Sequence, residues 1–334
     1  MKKITNILTA LLMALSLVGC SSDDEPTTRE VTLTIPVDIY SSNVEVTSRA
    51  AEQGDPGNDV VFEKPLYLYI YACVKESGDT YELLTKTIVP AAENADDSDN
   101  KWTLQGKDTN DERWHKDINV TFKMSGELAG NEGDSRVFAI ASRDDLSKVL
   151  PTTYTSSTTK STVEAMTLDF ASFTSEQLKN IYSTPLGDTK NGVIANNDDV
   201  LTCSTVKLYH VAAKVDFTWE VASSLYGTTE LASIQCTGLP TTCKIFEPTA
   251  NPTGTGTSLV LGASTDNPVN AAGMDNKWIG RAYAFMLQPP TDGKINYTVT
   301  FGGSASRAAV NGSITPQTLN TTYTGWYRVI ATVE

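Results

Sequence analysis

Histidine is nearly missing from this chain: His115 and His210 are the two in 334 residues. Basic residues are scarce beside acidic ones, 26 against 40. No two cysteines stand in a CxxC spacing, and nothing has the ligand spacing of a zinc site. No GxSxG elbow occurs, since Gly302-Gly303-Ser304-Ala305-Ser306 lacks the second glycine. Gly254-Thr255-Gly256 does not run on into a phosphate loop. Asp97-Ser98-Asp99 opens like a calcium loop, but its sixth position is not glycine and no glutamate closes it. His115 lies in the charged segment Asp111 to Lys116, and His210 on the polar phase of a strand pattern, so both read as surface residues rather than general bases. These gaps argue against an enzyme and give no reason to expect a cofactor or metal. A carboxylate pair of the glycoside hydrolase kind is set by space and leaves no spacing to read.

Long apolar runs are also missing, except at the start. Ile4 to Val18 is broken only by Thr5, Asn6, Thr9 and Ser16, and Lys2 and Lys3 precede it. A spanning helix needs about 20 apolar residues, so residues 1–19 read as a secretory signal. The run ends in Leu17-Val18-Gly19-Cys20, which resembles the bacterial lipobox. Cleavage before Cys20 would leave a thiol and an amine to carry acyl chains, a lasting anchor in the outer membrane. Ser21 and Asp23-Asp24-Glu25 resemble the acidic tag of surface-exposed lipoproteins in Bacteroides-like bacteria. The plain alternative for that stretch is a solvated tether.

Without the signal, 315 residues remain, carrying 24 basic and 40 acidic side chains, a net charge of −16. That sign argues against nucleic acid and anionic lipid surfaces as partners. The length suits two domains, each with its own core. Besides Cys20 there are Cys73, Cys203, Cys236 and Cys243. Cys236 and Cys243 flank a turn-rich stretch with Gly238 and Pro240, and a local bridge or two small buried hydrophobes are the two readings.

Strand patterns fill the rest. Val31 to Tyr40 alternates with period two, and Pro36 predicts an edge or a bulge there. Leu66 to Val74 is aromatic and β-branched, with Tyr81 to Val89 as its hairpin partner. Asn119 to Met124 and Arg136 to Ala141 follow. One helix is predicted near Phe173 to Tyr182, opened by a Thr174/Gln177 capping box and stopped by Pro185. Gly187 to Asp199 reads as a long loop or linker. Val206 to Val221 carries the longest strand signal, with alternation from Val211 onward. Shorter strands lead to a last one ending at Val333. Many short strands with turn signals between them argue for an all-β fold of two tandem antiparallel β-sandwiches with one or two short helices. The expected divisions are the signal at 1–19, a lipidated tether with the first strand at 20–49, and sandwiches at 50–204 and 205–334.

Taken together, the lipobox, the first strand with Arg49 behind it, Leu208 to Asp216, Tyr283 to Pro289 and Tyr323 to Val333 resemble the fimbrillin family of surface pilins from Bacteroides-like bacteria. The mid-chain strand departs from the family pattern at His210, where Arg is usual. The resemblance implies transthyretin-like sandwiches and assembly by strand exchange. A protease would cut between Arg49 and Ala50 and the first strand would leave. A terminal strand from another copy or a related subunit, presenting Tyr327, Val329, Ala331 and Val333, would take its place. A fimbrial subunit serving adhesion, with host protein or glycan as its further partner, is the leading reading. Its location would be the outer membrane as a lipoprotein and the fimbrium after processing. The alternatives are an uncut anchor or tip subunit, a surface glycan-binding lipoprotein using Trp102, Trp114, Trp219, Trp278 and Trp326, and, last, a surface hydrolase.

Overall fold

The protein is seen here as a computed structural model. It describes residues 29–40, 63–77, 80–88, 102–107, 112–124, 128, 133–150, 160–169, 173–197, 200–222, 230–247, 257–262, 269–270, 277–287, 295–302, 308–314 and 326–333. The chain is rich in strands, as its composition predicts, and among the described residues its two helices are one turn or so each.

The first part of the chain builds an eight-stranded sheet. Its members are β1 (Arg29–Tyr40), β2 (Tyr67–Ser77), β3 (Thr80–Ile88), β4 (Thr103–Gln105), β5 (Arg113–Met124), β6 (Arg136–Ser142), β8 (Tyr182–Ser183) and β11 (Val206–His210). Their order is β3-β2-β6-β8-β11-β1-β5-β4. β1 and β2 belong to one sheet yet send side chains into one cluster, so the sheet curls around it. That first core gathers Leu33, Ile35, Val37 and Ile39 with Leu68, Ile70, Ala72 and Val74.

β2 and β6 are buried on both faces, which is why Leu66 to Val74 reads as a nearly unbroken apolar run. Their second face, with Tyr69, Tyr71, Cys73, Phe138 and Ile140, opens on a second core. Helices α1 (Lys160–Glu164) and α2 (Ser175–Lys179) cover it through Val163 and Leu178. A ribbon of β7 (Thr167–Asp169) and β14 (Thr242–Lys244) completes the cover, bringing Cys243, Ile245 and Phe246 from much later in the chain. The Thr174/Gln177 capping box at the start of α2 is formed as predicted.

Gly187 to Asp199 is not a loose linker. β9 (Ile194–Asn197) and β10 (Val200–Cys203) form a ribbon there. The approach to it is tied to buried Arg136, whose guanidinium donates to the carbonyls of Asn191 at 2.8 Å, Leu186 at 3.0 Å, Pro185 at 3.2 Å and Asp188. Gly192 has φ 68°, and a Cβ there would run into the Val137 carbonyl oxygen, so the close approach needs glycine. Polarity marked the segment as a loop, but the polar atoms are spent on one another inside the fold.

The long mid-chain strand divides at Val211. β11 joins the first sheet, and β12 (Ala212–Ala222) runs on into a second one. There the order is β16-β17-β12-β20, with β16 (Val269–Asn270), β17 (Lys277–Leu287) and β20 (Trp326–Val333). A further sheet is ordered β15-β13-β18-β19, from β13 (Glu230–Leu239), β15 (Thr257–Gly262), β18 (Ile295–Gly302) and β19 (Val310–Ile314).

Pro36 needs a finer account than edge or bulge. All twelve residues of β1 pair antiparallel with β5, without a bulge. On the other side only Val37 to Ile39 pair, in parallel, with Val206 to Leu208. Pro36 therefore sits where one-sided pairing ends, and its missing N–H costs that second ladder nothing.

Candidate functional site

β1 is seated on both of its faces. A strand sends successive side chains to opposite faces. On the inner face Leu33, Ile35, Val37 and Ile39 are each no more than 1% exposed. They meet Ile118, Val120 and Phe122 of β5 and Val206 and Leu208 of β11 in the first core. Burying such a side chain is worth roughly 1.5–3 kcal/mol. Val31, at the head of the strand, is only partly buried at the rim of that core.

The outer face is a polar ladder. The hydroxyls of Thr32 and Thr121 are 3.1 Å apart, and Thr34 Oγ1 donates to Asn119 Oδ1 at 2.8 Å. Buried Asp38 lies between two partners on β5. Its Oδ1 is 2.6 Å from His115 Nδ1 and its Oδ2 is 3.2 Å from Arg113 Nε. The arginine contact is ionic, since that Nε makes no hydrogen bond. Arg113 Nη2 donates to Gln105 Oε1 on β4 at 2.9 Å, and His115 Nε2 stands 3.6 Å from Asp117 Oδ1. At the strand's end the Tyr40 ring stacks on Tyr209 of β11, with centroids 5.3 Å apart.

These two faces set the register at two levels. A slip by one residue turns the apolar face outward. A slip by two keeps the faces but takes Asp38 away from His115 and sets it opposite Arg113 or Asp117. Three polar cross-strand pairs decide between registers that the apolar pattern cannot tell apart.

The two histidines are not surface residues. His115 is half-buried against Asp38. His210 is 8% exposed, because the bend at Val211 puts it in phase with Val206 and Leu208 rather than opposite Val211. Asp38, Arg113 and His115 were not singled out as a site from the sequence. Their signal was present, since Arg113, His115 and Asp117 alternate with Trp114 and Ile118. The buried cation Lys116 hid it. Its Nζ lies 5.8 Å over the Trp102 ring, a partner no spacing announces.

The lipidation site Cys20 and the processing pair Arg49 and Ala50 fall outside the described residues. The donor candidates Tyr327, Val329, Ala331 and Val333 lie on β20, which pairs parallel with β12 at Val215, Phe217, Trp219 and Val221. The terminal strand is thus seated in its own chain. Its position repeats that of β1: each is the parallel neighbour of one segment of the β11–β12 run.

The hairpin bridge between Cys236 and Cys243 is not formed. Both are free, buried thiols, and burial pushes each up to about 12. Cys236 stays on β13, whereas β14 has left that strand to pair with β7 and carries Cys243 into the second core. Trp102 and Trp114 pack against the first core, which takes them from the set a glycan would need. Among the described residues no three His, Cys, Asp or Glu side chains converge as a metal site.

No family model matches this chain, and no curated protein matches it. Among solved structures it is similar to a fimbrial assembly protein from Parabacteroides distasonis, with TM-score 0.43 and 12% identity over 91% of this chain and 90% of that one. It is also similar to the tip fimbrial protein Mfa3 from Porphyromonas gingivalis, with TM-score 0.40 and 13% identity over 86% and 82%. These two neighbours are fimbrial proteins, the class the sequence resembles.

Proposed function

We propose that this chain is a structural subunit of an adhesive surface filament and that it assembles by strand exchange. The precursor is held on the outer membrane by lipid on Cys20. Cutting between Arg49 and Ala50 frees β1, and the terminal strand of another subunit, bearing Tyr327, Val329, Ala331 and Val333, fills the vacated seat. The observation that carries this reading is the placement of β1. β1, the first strand among the described residues, supplies four buried side chains to the first core and, from Val37 to Ile39, lies between two other strands. Taking it away opens a slot of apolar pockets flanked by bare backbone donors and acceptors, which is costly to leave unfilled. Strand addition answers that need with backbone pairing for affinity and alternate pockets for register.

The test is Arg49→Ala. The variant is expected to stay full length, monomeric and lipid-bound where the native chain forms filaments. Equal polymerisation of the variant, or a native chain left uncut by a trypsin-like protease, overturns the reading.

A further inference from the structure

We propose that the emptied β1 seat chooses its incoming strand by a carboxylate: the strand of another subunit that it admits carries an acid at the place of Asp38. This rests on the strand-exchange reading above and names the chemistry of the partner at the same seat.

The outer face of the seat is not uniform in charge. Along β5, Thr121 stands opposite Thr32, Asn119 opposite Thr34, Asp117 opposite Pro36, His115 opposite Asp38 and Arg113 opposite Tyr40. On the other side, β11 sets Lys207 level with Asp38. Residues directly paired across a ladder share a face. The Asp38 position is therefore where basic residues of both flanking strands meet. His115 and Lys207 pair with it, and Arg113, two places along β5, brings its Nε to 3.2 Å from Asp38 Oδ2. They gather there in a chain with 26 basic residues against 40 acidic ones. The neighbouring outward places differ. An acid at the Pro36 position would face Asp117, a meeting of like charges. An acid at the Tyr40 position would face Arg113 but leave no acid between His115 and Lys207.

Burial turns this charge pattern into a selection. With the seat filled, Asp38 is 7% exposed. With the seat empty, water reaches the basic groups around that place, and an entering strand takes the water away. A carboxylate replaces it with hydrogen bonds and opposite charge. A neutral or basic residue leaves those groups desolvated without compensation, which is costly. The other outer contacts, Thr32 with Thr121 and Thr34 with Asn119, are neutral and suit many polar residues. The inner pockets ask for apolar side chains at alternate places, which any amphipathic strand offers. The carboxylate is what tells one such strand from another. The strand that fits has apolar residues at alternate places and Asp or Glu between the last two, as Asp38 lies between Val37 and Ile39.

Fluorescent peptides with the β1 sequence, Arg29 to Tyr40, serve as probe strands. They are offered in excess to purified mature protein that has been cut behind β1, and the label retained by the protein is measured after gel filtration. The native peptide and Asp38→Glu are expected to enter. Asp38→Asn is expected to enter at least about tenfold less and Asp38→Lys less still, as loss of a close charge partner across an interface dictates. Failure of the native peptide to enter overturns strand exchange at this seat and the selection with it. Entry of the native peptide, matched by Asp38→Asn and Asp38→Lys, overturns the selection alone.

Discussion

At the scale of single residues, burial sets the chemistry more than residue type does. His210 is enclosed near Tyr182, with ring centroids 4.3 Å apart, and its Nδ1 has no hydrogen-bond partner. Burial pushes its pKa down from 6.5 to about 4, against a smaller upward pull from a hydrogen bond with the Lys179 backbone. The unfolded chain takes up this proton near pH 6.5 and the folded chain holds it off until about pH 4. Stability from His210 is therefore fully present above pH 6.5 and is lost as pH falls through that window. The loss amounts to at most about 3 kcal/mol. Urea unfolding of the native chain and of His210→Phe, each at neutral pH and near pH 4.5, checks this. The native chain is expected to lose the larger share of its stability, and parallel losses would count against it. The sequence showed a histidine in a strand. It could not show the burial, because the phase of β11 depends on a bend at Val211 that no period-two count contains.

At the scale of elements, β1 is held by a division of labour between its faces. The inner residues supply burial, and the outer ladder supplies register. Asp38→Asn keeps a carbonyl acceptor but removes the charge that His115 and Arg113 meet. The change is expected to destabilise the seat of β1 by about 2 kcal/mol, the usual cost of spoiling a buried charged hydrogen bond. Native-state hydrogen exchange is the measurement. Amides of β1 should exchange faster while those of β6, packed in both cores, keep their protection. Uniform acceleration across the molecule would instead mark Asp38 as a contributor to the whole fold. The strand itself was legible from Val31, Leu33, Ile35, Val37 and Ile39, since alternation is a local signal. Its opposite strand was legible only from Asn119 on. In the stretch before it, buried Lys116 interrupts the apolar phase and the charges of Arg113, His115 and Asp117 read as solvent-facing.

At the scale of the whole molecule, the chain returns on itself to close its earlier part. Phe246 stands against Phe138 at 5.1 Å and Tyr71 at 6.5 Å between centroids, sealing the second core over β2 and β6. The Leu186 amide donates to the Phe246 carbonyl at 2.8 Å, and the Ile245 amide to that of Met166 at 2.9 Å, so backbone as well as side chains bind this segment in place. Phe246→Ala is expected to cost about 3–5 kcal/mol. Because the segment comes after β12 and β13, the early and late parts should lose structure together. Calorimetry of the variant should show one transition moved down, and an early transition split from an unchanged late one would contradict the coupling. What the sequence by itself determined was local and periodic: the all-β character, most strands by their alternation, and the capping box at Thr174. What only the tertiary structure decided was which strands meet. β1 pairs with β5 and β11, β14 leaves Cys236 to carry Cys243 and Phe246 into the second core, and Arg136 gathers the carbonyls of a segment that looked like linker. The physical reason is that many pairings share the same period of two. The choice among them rests on packing, buried charge and backbone satisfaction between segments far apart in the chain, and those quantities exist only once the chain has folded.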